Sequence, residues 1–207
     1  MCCHPVHKLT WTLGIGCIAV ACAQQATSSS PRTPVNDKQN IVSEWLPLEN
    51  DSVLEFDTSV EGTSEKGRLV MQVHRPRANH VELGVAGKMR RLEITPEGVS
   101  IATGGWLLKQ PLTVGSSFQG LSGRVTVVNA DCTVVVPAGN FTHCVETEEK
   151  TSTTVTRTDF CRGTGITRLV IEGQVNGELR REIAELRFHG PRIDLGPEKT
   201  TAAPAGQ

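Results

Sequence analysis

A chain of 207 residues with 21 Lys plus Arg against 22 Asp plus Glu is close to neutral, and no segment gathers the positive charge of a nucleic-acid footprint. Aromatic residues make up 4% and there is no Tyr, which argues against a stacking platform for bases or sugars. Less a leader and loose ends, the length leaves one domain of roughly 150 residues, large enough to bury a core without metal or disulfide help.

The chain opens with "MCCHPVHK", which carries the terminal amine, Lys8 and two His. The apolar run "LTWTLGIGCIAVA" follows, 13 residues long. A membrane span needs about 20 residues, so this run fits the core of a secretory signal instead. It stands alone in the sequence, so the mature chain is expected to have no transmembrane helix. The run ends in "IAVAC", Ile18 to Cys22, which resembles the lipobox of bacterial lipoproteins. Ala19 stands where that family usually has Leu. The six residues ahead of the box, Thr12 to Cys17, are uncharged, whereas a box at Cys17 would bring Lys8 into the same window. The resemblance implies a signal peptide over 1–21 and acyl chains on Cys22 that hold the protein to a membrane. Ordinary secretion, cut after Ala21 or Ala23, is the rival. Ala23 in place of Asp implies, by analogy with enterobacterial sorting, the outer membrane, facing the periplasm or the cell surface.

Residues 22–43 form an expected tether. "AQQATSSSPRTPVNDKQN" has almost no large apolar side chains and cannot repay its ordering entropy. The tail at 191–207 has the same character. Between them, residues 44–190 read as a domain of short β-favouring runs closed by Gly or Pro turns.

In chain order, "SVLEFDTSV" sets Val53, Phe56 and Val60 among acids, and "GRLVMQVHR" puts Leu69, Met71 and Val73 on one face. "HVELGVAG" repeats the pattern with Val81, Leu83 and Val85. "RRLEITPEGVSIAT" is a hairpin signal: Leu92 and Ile94, a "TPEG" turn, then Val99 and Ile101. "GRVTVVNADCTVVV", "FTHCVETEE", "STTVTRTDF" and "ITRLVIEG" follow. Period-two alternation buries one face and wets the other, as antiparallel sheets allow. "GELRREIAELRF" is ambiguous: Leu179, Ile183 and Leu186 have helical spacing, yet "VIEGQVNGEL" before it reads as a hairpin turn. Roughly ten to twelve strands with short connections predict an all-β meander, curled into a half-barrel or barrel-like sheet.

The most informative segment is "CTVVVPAGNFTHCVETEE", Cys132 to Glu149. Pro137 and Gly139 suit a three-residue hairpin loop with a Gly bulge, which sets Val136 opposite Asn140 and Cys132 opposite Cys144. With "PLTVGSSF" before it, "FCRGTGITRLV" after it and "ELRREIAELRF" at the end, the order resembles a family of largely uncharacterised bacterial lipoproteins. That family carries "VPAGxF..C" followed by a Gly-x-Gly turn, matched here by Gly163 and Gly165. Cys161 stands where an aromatic is usual, and Thr164 where Val is. The resemblance covers about residues 106–189. It implies a strongly curved antiparallel sheet, like half-barrels that handle lipids in the envelope, and a strand at 177–189. It implies no catalytic residues.

Once the leader's cysteines and Cys22 are set aside, Cys132, Cys144 and Cys161 remain. Three predicts one disulfide and one thiol in an oxidising compartment. The hairpin register favours Cys132 with Cys144, since facing strand residues lie about 5.5 Å apart or less. Cys144 with Cys161 is the alternative. His143 beside Cys144 makes a zinc site conceivable, but the two point to opposite faces and no Cys-x-x-Cys exists. His74, His80, His143 and His189 lack metal-ligand spacing and read as surface or turn residues. "GSSFQG" and "GLSG" are turns rather than nucleophile elbows. "KMRR" at Lys88 to Arg91 reads as a solvated turn. No cofactor or metal is expected. The sequence favours a non-catalytic envelope module that binds a protein, or else a carrier of an apolar ligand in the concave face. A hydrolase would need His143 or His189 to converge with Asp131 or Asp159 in a cleft.

Overall fold

The computed structural model describes residues 44–192. The leader, Cys22, the whole tether and nearly all of the tail therefore lie outside the described residues. Twelve strands appear in chain order: β1 (Ser52–Val60), β2 (Lys66–Arg77), β3 (His80–Val85), β4 (Lys88–Thr95), β5 (Gly98–Ile101), β6 (Trp106–Lys109), β7 (Ser117–Gln119), β8 (Arg124–Val136), β9 (Gly139–Lys150), β10 (Thr154–Cys161), β11 (Gly165–Val175) and β12 (Glu178–Pro191). The expected all-β class and meander are the observed ones. No helix long and apolar enough to cross a membrane occurs among the described residues.

All twelve strands join one antiparallel sheet in the order β6-β5-β4-β3-β2-β1-β12-β11-β10-β9-β8-β7. Consecutive strands are neighbours everywhere except between β6 and β7, while the first and last strands pair along their lengths, from Ser52↔Pro191 to Val60↔Glu182. The sheet curls into a barrel left unpaired at the β6/β7 seam. One end of that seam is shut by backbone alone: a Cβ on Gly105 would lie 2.1 Å from the Gly120 carbonyl oxygen. Only glycine permits turns β5–β6 and β7–β8 to approach this closely.

The inward faces follow the alternation. Met71 and Val73, then Val81 and Leu83, then Leu92, then Val99 and Ile101 are buried strand after strand. The "TPEG" hairpin forms with Leu92 facing Ile101 and Ile94 facing Val99. In β1 the inward residues are Leu54 and Phe56, rather than the Val53, Phe56 and Val60 set read from the sequence, which mixes the two faces.

Strand β12 settles the ambiguous segment. Asn176 and Gly177, at φ of 54° and 83°, make the two-residue turn that hands β11 to β12. Positive φ at both central positions is what a tight hairpin requires. Ala184 and Leu186 face inward, and the charged alternate residues find partners outside: Arg181 with Glu61 and Glu172, Arg187 with Asp57. Pairing with β1 on one side and β11 on the other overrides the helical spacing.

The β8–β9 hairpin departs from the expected loop. Val136 pairs with Gly139 and Val135 with Asn140, so the connection is the two residues Pro137 and Ala138. Cys132 still faces Cys144, because β9 takes one extra residue near His143, whose φ is 56°. A bulge thus restores the pairing that the wrong loop length had suggested. Two more register shifts lie between Val127 and Cys132. The bent hairpin reaches across to β12, where Ala138 N–H donates to the Leu186 carbonyl at 2.8 Å.

Candidate functional site

Two apolar cavities lie on the inner face. One, of about 200 Å³, is lined from both halves of the sheet, by Met71, Leu83, Leu92, Ile101, Phe160 and Leu169 among others. The other, of about 410 Å³, is walled by β1, β2, β11 and β12, with Leu69, Leu169, Ile171 and Ala184 as its apolar floor. Leu169 borders both, so they adjoin. Small-ligand sites usually measure about 300–1,000 Å³ and are mainly apolar with a few placed polar groups. Polar groups line both cavities as well, Thr58 and Arg68 in the larger and Thr147, Thr156 and Thr158 in the smaller, and paired charges stand at the two ends. Arg180, also on the inner face, is held by Glu182 at 2.7 Å and Glu65 at 2.8 Å at one end. These carboxylates hold its guanidinium charged. At the other, Glu149 accepts the Ser122 and Gly123 backbone N–H groups at 2.6 and 2.8 Å.

On the outer face a chain of ion pairs crosses the strands: Lys150–Glu148–Arg157–Glu172. The Lys150 ammonium, then Arg157, keep the Glu148 carboxyl below its ordinary range. A short strap precedes β1. Trp45, Leu46 and Leu48 join the core, and Glu44 accepts the Gly163 N–H through its carbonyl at 2.6 Å. Gly163 and Gly165 both adopt positive φ, at 73° and 95°, in the β10–β11 turn beside this strap. Arg162 from the same turn stacks 5.2 Å from the Trp45 ring centre.

The three cysteines lie in register on three neighbouring strands. Cys132 on β8 faces Cys144 on β9, and Cys144 faces Cys161 on β10. The disulfide is Cys144–Cys161, and Cys132 is the free thiol. This corrects the pairing that hairpin register favoured. Register makes both partners of Cys144 available, and a sequence in which β10 pairing is unassigned cannot rank them. The Cys132 thiol donates to the Cys144 carbonyl at 3.2 Å.

Beside the cysteines lies a small acidic group. Asp159 is 3% exposed, with Oδ2 on Arg168 Nε at 2.7 Å and Oδ1 without a hydrogen-bond partner. Burial pushes its carboxyl up despite Arg168. Burial, then the neighbouring Asp159 charge, raises Glu146, which faces Asp159 across the strands. Burial, then Asp159 and Glu146, also raises the Cys132 thiol.

His143 does meet Asp131, Nδ1 to Oδ1 at 2.9 Å, but the side chains are 70% and 76% exposed, on the surface rather than in a cleft. His189 stacks edge-on against Phe141, with ring centres 6.3 Å apart, and His80 bonds its neighbour Asn79. Asp159 is with Arg168 instead of a His. The "KMRR" cluster lies along β4 rather than forming a turn, and Arg90 borders the smaller cavity. No group of three or more His, Cys, Asp or Glu that could hold a metal occurs among the described residues. Sequence reasoning missed the inward Arg180 and Glu182. Their signal was present: they precede Ala184 and Leu186 at the same parity.

No family model and no curated protein matches the chain. Among solved structures it is similar to a Bacteroides fragilis protein described as a "putative exported protein with YmcC-like fold". The match has 14% identity and covers 70% of this chain and 98% of that one, with a TM-score of 0.43. Likeness at that level carries no argument about what this chain does.

Proposed function

We propose that the protein is a lipid-anchored bacterial envelope protein that binds an apolar ligand, without catalysis, in the concave face of its sheet. The observation that carries the ligand reading is the adjoining pair of apolar cavities around Leu169. A module built only to dock proteins has no need of adjoining apolar hollows along the concave face of its sheet. The envelope location rests on the signal-like run and the "IAVAC" box at Cys22. A lipid with an apolar chain and a polar head fits the lining, which is apolar along the floor and charged at the ends.

The chain is exported with Cys22→Ala, which is expected to abolish acyl labelling and free it from membranes. Detergent-free native mass spectrometry should then show a lipid-mass adduct, and the protein should bind a dansyl-labelled undecanoic acid. Leu169→Arg should lose both. A bare mass with no probe binding would sink the carrier reading and leave the protein-docking one. The latter is favoured by the exposed Val175 and Leu179 at the β11–β12 turn. Acyl labelling that survives in Cys22→Ala would move the anchor to another residue, and a wild type that is never labelled would overturn the anchor altogether.

A further inference from the structure

Cysteines at 132, 144 and 161 occupy facing positions on β8, β9 and β10, so the central one has a cysteine opposite it on each side. Neighbouring strands lie about 4.8 Å apart, and facing residues fall within disulfide reach. Residues two strands apart do not. Cys132 and Cys161 therefore cannot join each other, and each can join Cys144. The structure holds one of the two possible bonds and keeps the third sulfur as a thiol beside it.

We propose that Cys132 is an internal exchange thiol, and that the protein interconverts between a Cys144–Cys161 and a Cys132–Cys144 disulfide. The Cys132 thiol gives up its proton, and its sulfur attacks Sγ of Cys144. The Cys132–Cys144 bond forms as the Cys144–Cys161 bond breaks. The electron pair leaves on Cys161 Sγ, which takes up a proton. Nothing is oxidised or reduced overall, so no outside reagent is consumed. Cys144 and Cys161 are fully buried, which keeps the exchange inside the molecule.

The two forms tie different elements together. The observed bond fastens β10 to β9 beside Phe160, a wall of the smaller cavity. The other closes the β8–β9 hairpin on itself and lets the end of β10 go. The acidic surroundings of Cys132 set the tempo. A thiolate is the attacking species, and burial with Asp159 and Glu146 nearby disfavours it. Exchange is therefore slow near neutral pH and accelerates about tenfold per pH unit on the alkaline side, as the thiolate fraction does.

The sequence makes the test clean. No Lys or Arg lies between Arg124 and Lys150, so trypsin releases Cys132 and Cys144 in one peptide, 125–150, and Cys161 in "TDFCR", 158–162. A Cys144–Cys161 bond links two peptides, whereas a Cys132–Cys144 bond lies within one. The full exported chain is incubated at pH 7, 8 and 9, acid-quenched, denatured, blocked with maleimide at pH 6, digested and weighed. The expected result is conversion of linked to internally bridged 125–150, with maleimide appearing on Cys161, faster at each higher pH. In Cys132→Ser, Cys161 should stay unblocked throughout. Cys161→Ser, oxidised with glutathione disulfide, should carry Cys132–Cys144. If Cys132 is the only blocked thiol of the three in wild type at every pH and time, the proposal is wrong. It is equally wrong if Cys161 becomes blocked in Cys132→Ser.

Discussion

The β4–β5 hairpin and the β8–β9 hairpin solve the same problem differently. In β4–β5 the register is constant from Thr95↔Gly98 to Leu92↔Ile101, and the side chains of Leu92, Val99 and Ile101 all turn inward, with Gly98 at the turn covered by the β6 backbone. In β8–β9 three shifts interrupt the ladder, and the successive residues Cys144 and Val145 are both buried. The first hairpin covers one side of a barrel. The second must also bend over to reach β12, and each bulge adds local twist at the expense of pairing. Alternation tells which residues face inward only while the register is unbroken. Where bulges intervene, they decide which side chains meet, and here they bring three cysteines into line.

Perturbing the two regions should sharpen that contrast. The largest effect is expected from Leu92→Ala in the regular hairpin. The side chain is 3% exposed, and its loss should cost about 2–5 kcal/mol in urea unfolding, whereas Val135→Ala in the bent arm, 68% exposed, should cost within about 0.5 kcal/mol. Equal costs would mean the arm's outward face is covered. Next is the disulfide of the irregular region. Its cysteines are 17 residues apart, and Cys144→Ser, which leaves no bridge, should cost about 3 kcal/mol on the loop-entropy model. A drop below about 1 kcal/mol would show the bulged region held without it. Gly87 in the β3–β4 turn has φ of 75°, so Gly87→Ala should cost about 1–2 kcal/mol, seen as a lower urea midpoint at unchanged slope.

The smallest effect is one of sign. Asp159 and Glu146 titrate above the ordinary carboxylate range in the folded protein. The stability they contribute is full below that range and is lost as pH rises through their folded values. The melting temperature of wild type should therefore fall relative to Asp159→Asn as pH rises above the ordinary Asp value of about 4. A relative rise would mean that the Arg168 pair outweighs burial.

The β3, β4 and β5 faces, and that of β2 up to His74, were legible because each keeps one parity over that length; past His74 a bulge shifts β2 against β3. The β8–β9 pairing was legible by two compensating features, a loop one residue shorter than expected and a bulge one residue longer, so the correct Cys132–Cys144 register came from an incorrect turn. The disulfide was not decidable, since it depends on β10 lying against β9 with Cys161 at the same level. Strand β12 was hardest. Its sequence contains both a helical Leu179–Ile183–Leu186 spacing and a strand face of Ala184 and Leu186, and only two flanking strands select between them. The cavities are products of curvature, which no single strand records.

The pairing of β1 with β12 has a consequence for how the chain could be rewired. Sequence neighbours β6 and β7 share no ladder, and the most distant strands do. If residue 192 were joined to residue 44 by a short linker and the chain cut between Lys109 and Ser117, the new order would begin at β7 and end at β6. Every strand would then sit beside its successor, in a plain twelve-stranded zigzag. The one contact that now spans almost the whole domain would become a local hairpin. Such a permutant should reach the same sheet faster than the natural order, because the longest loop closure has been removed from its folding.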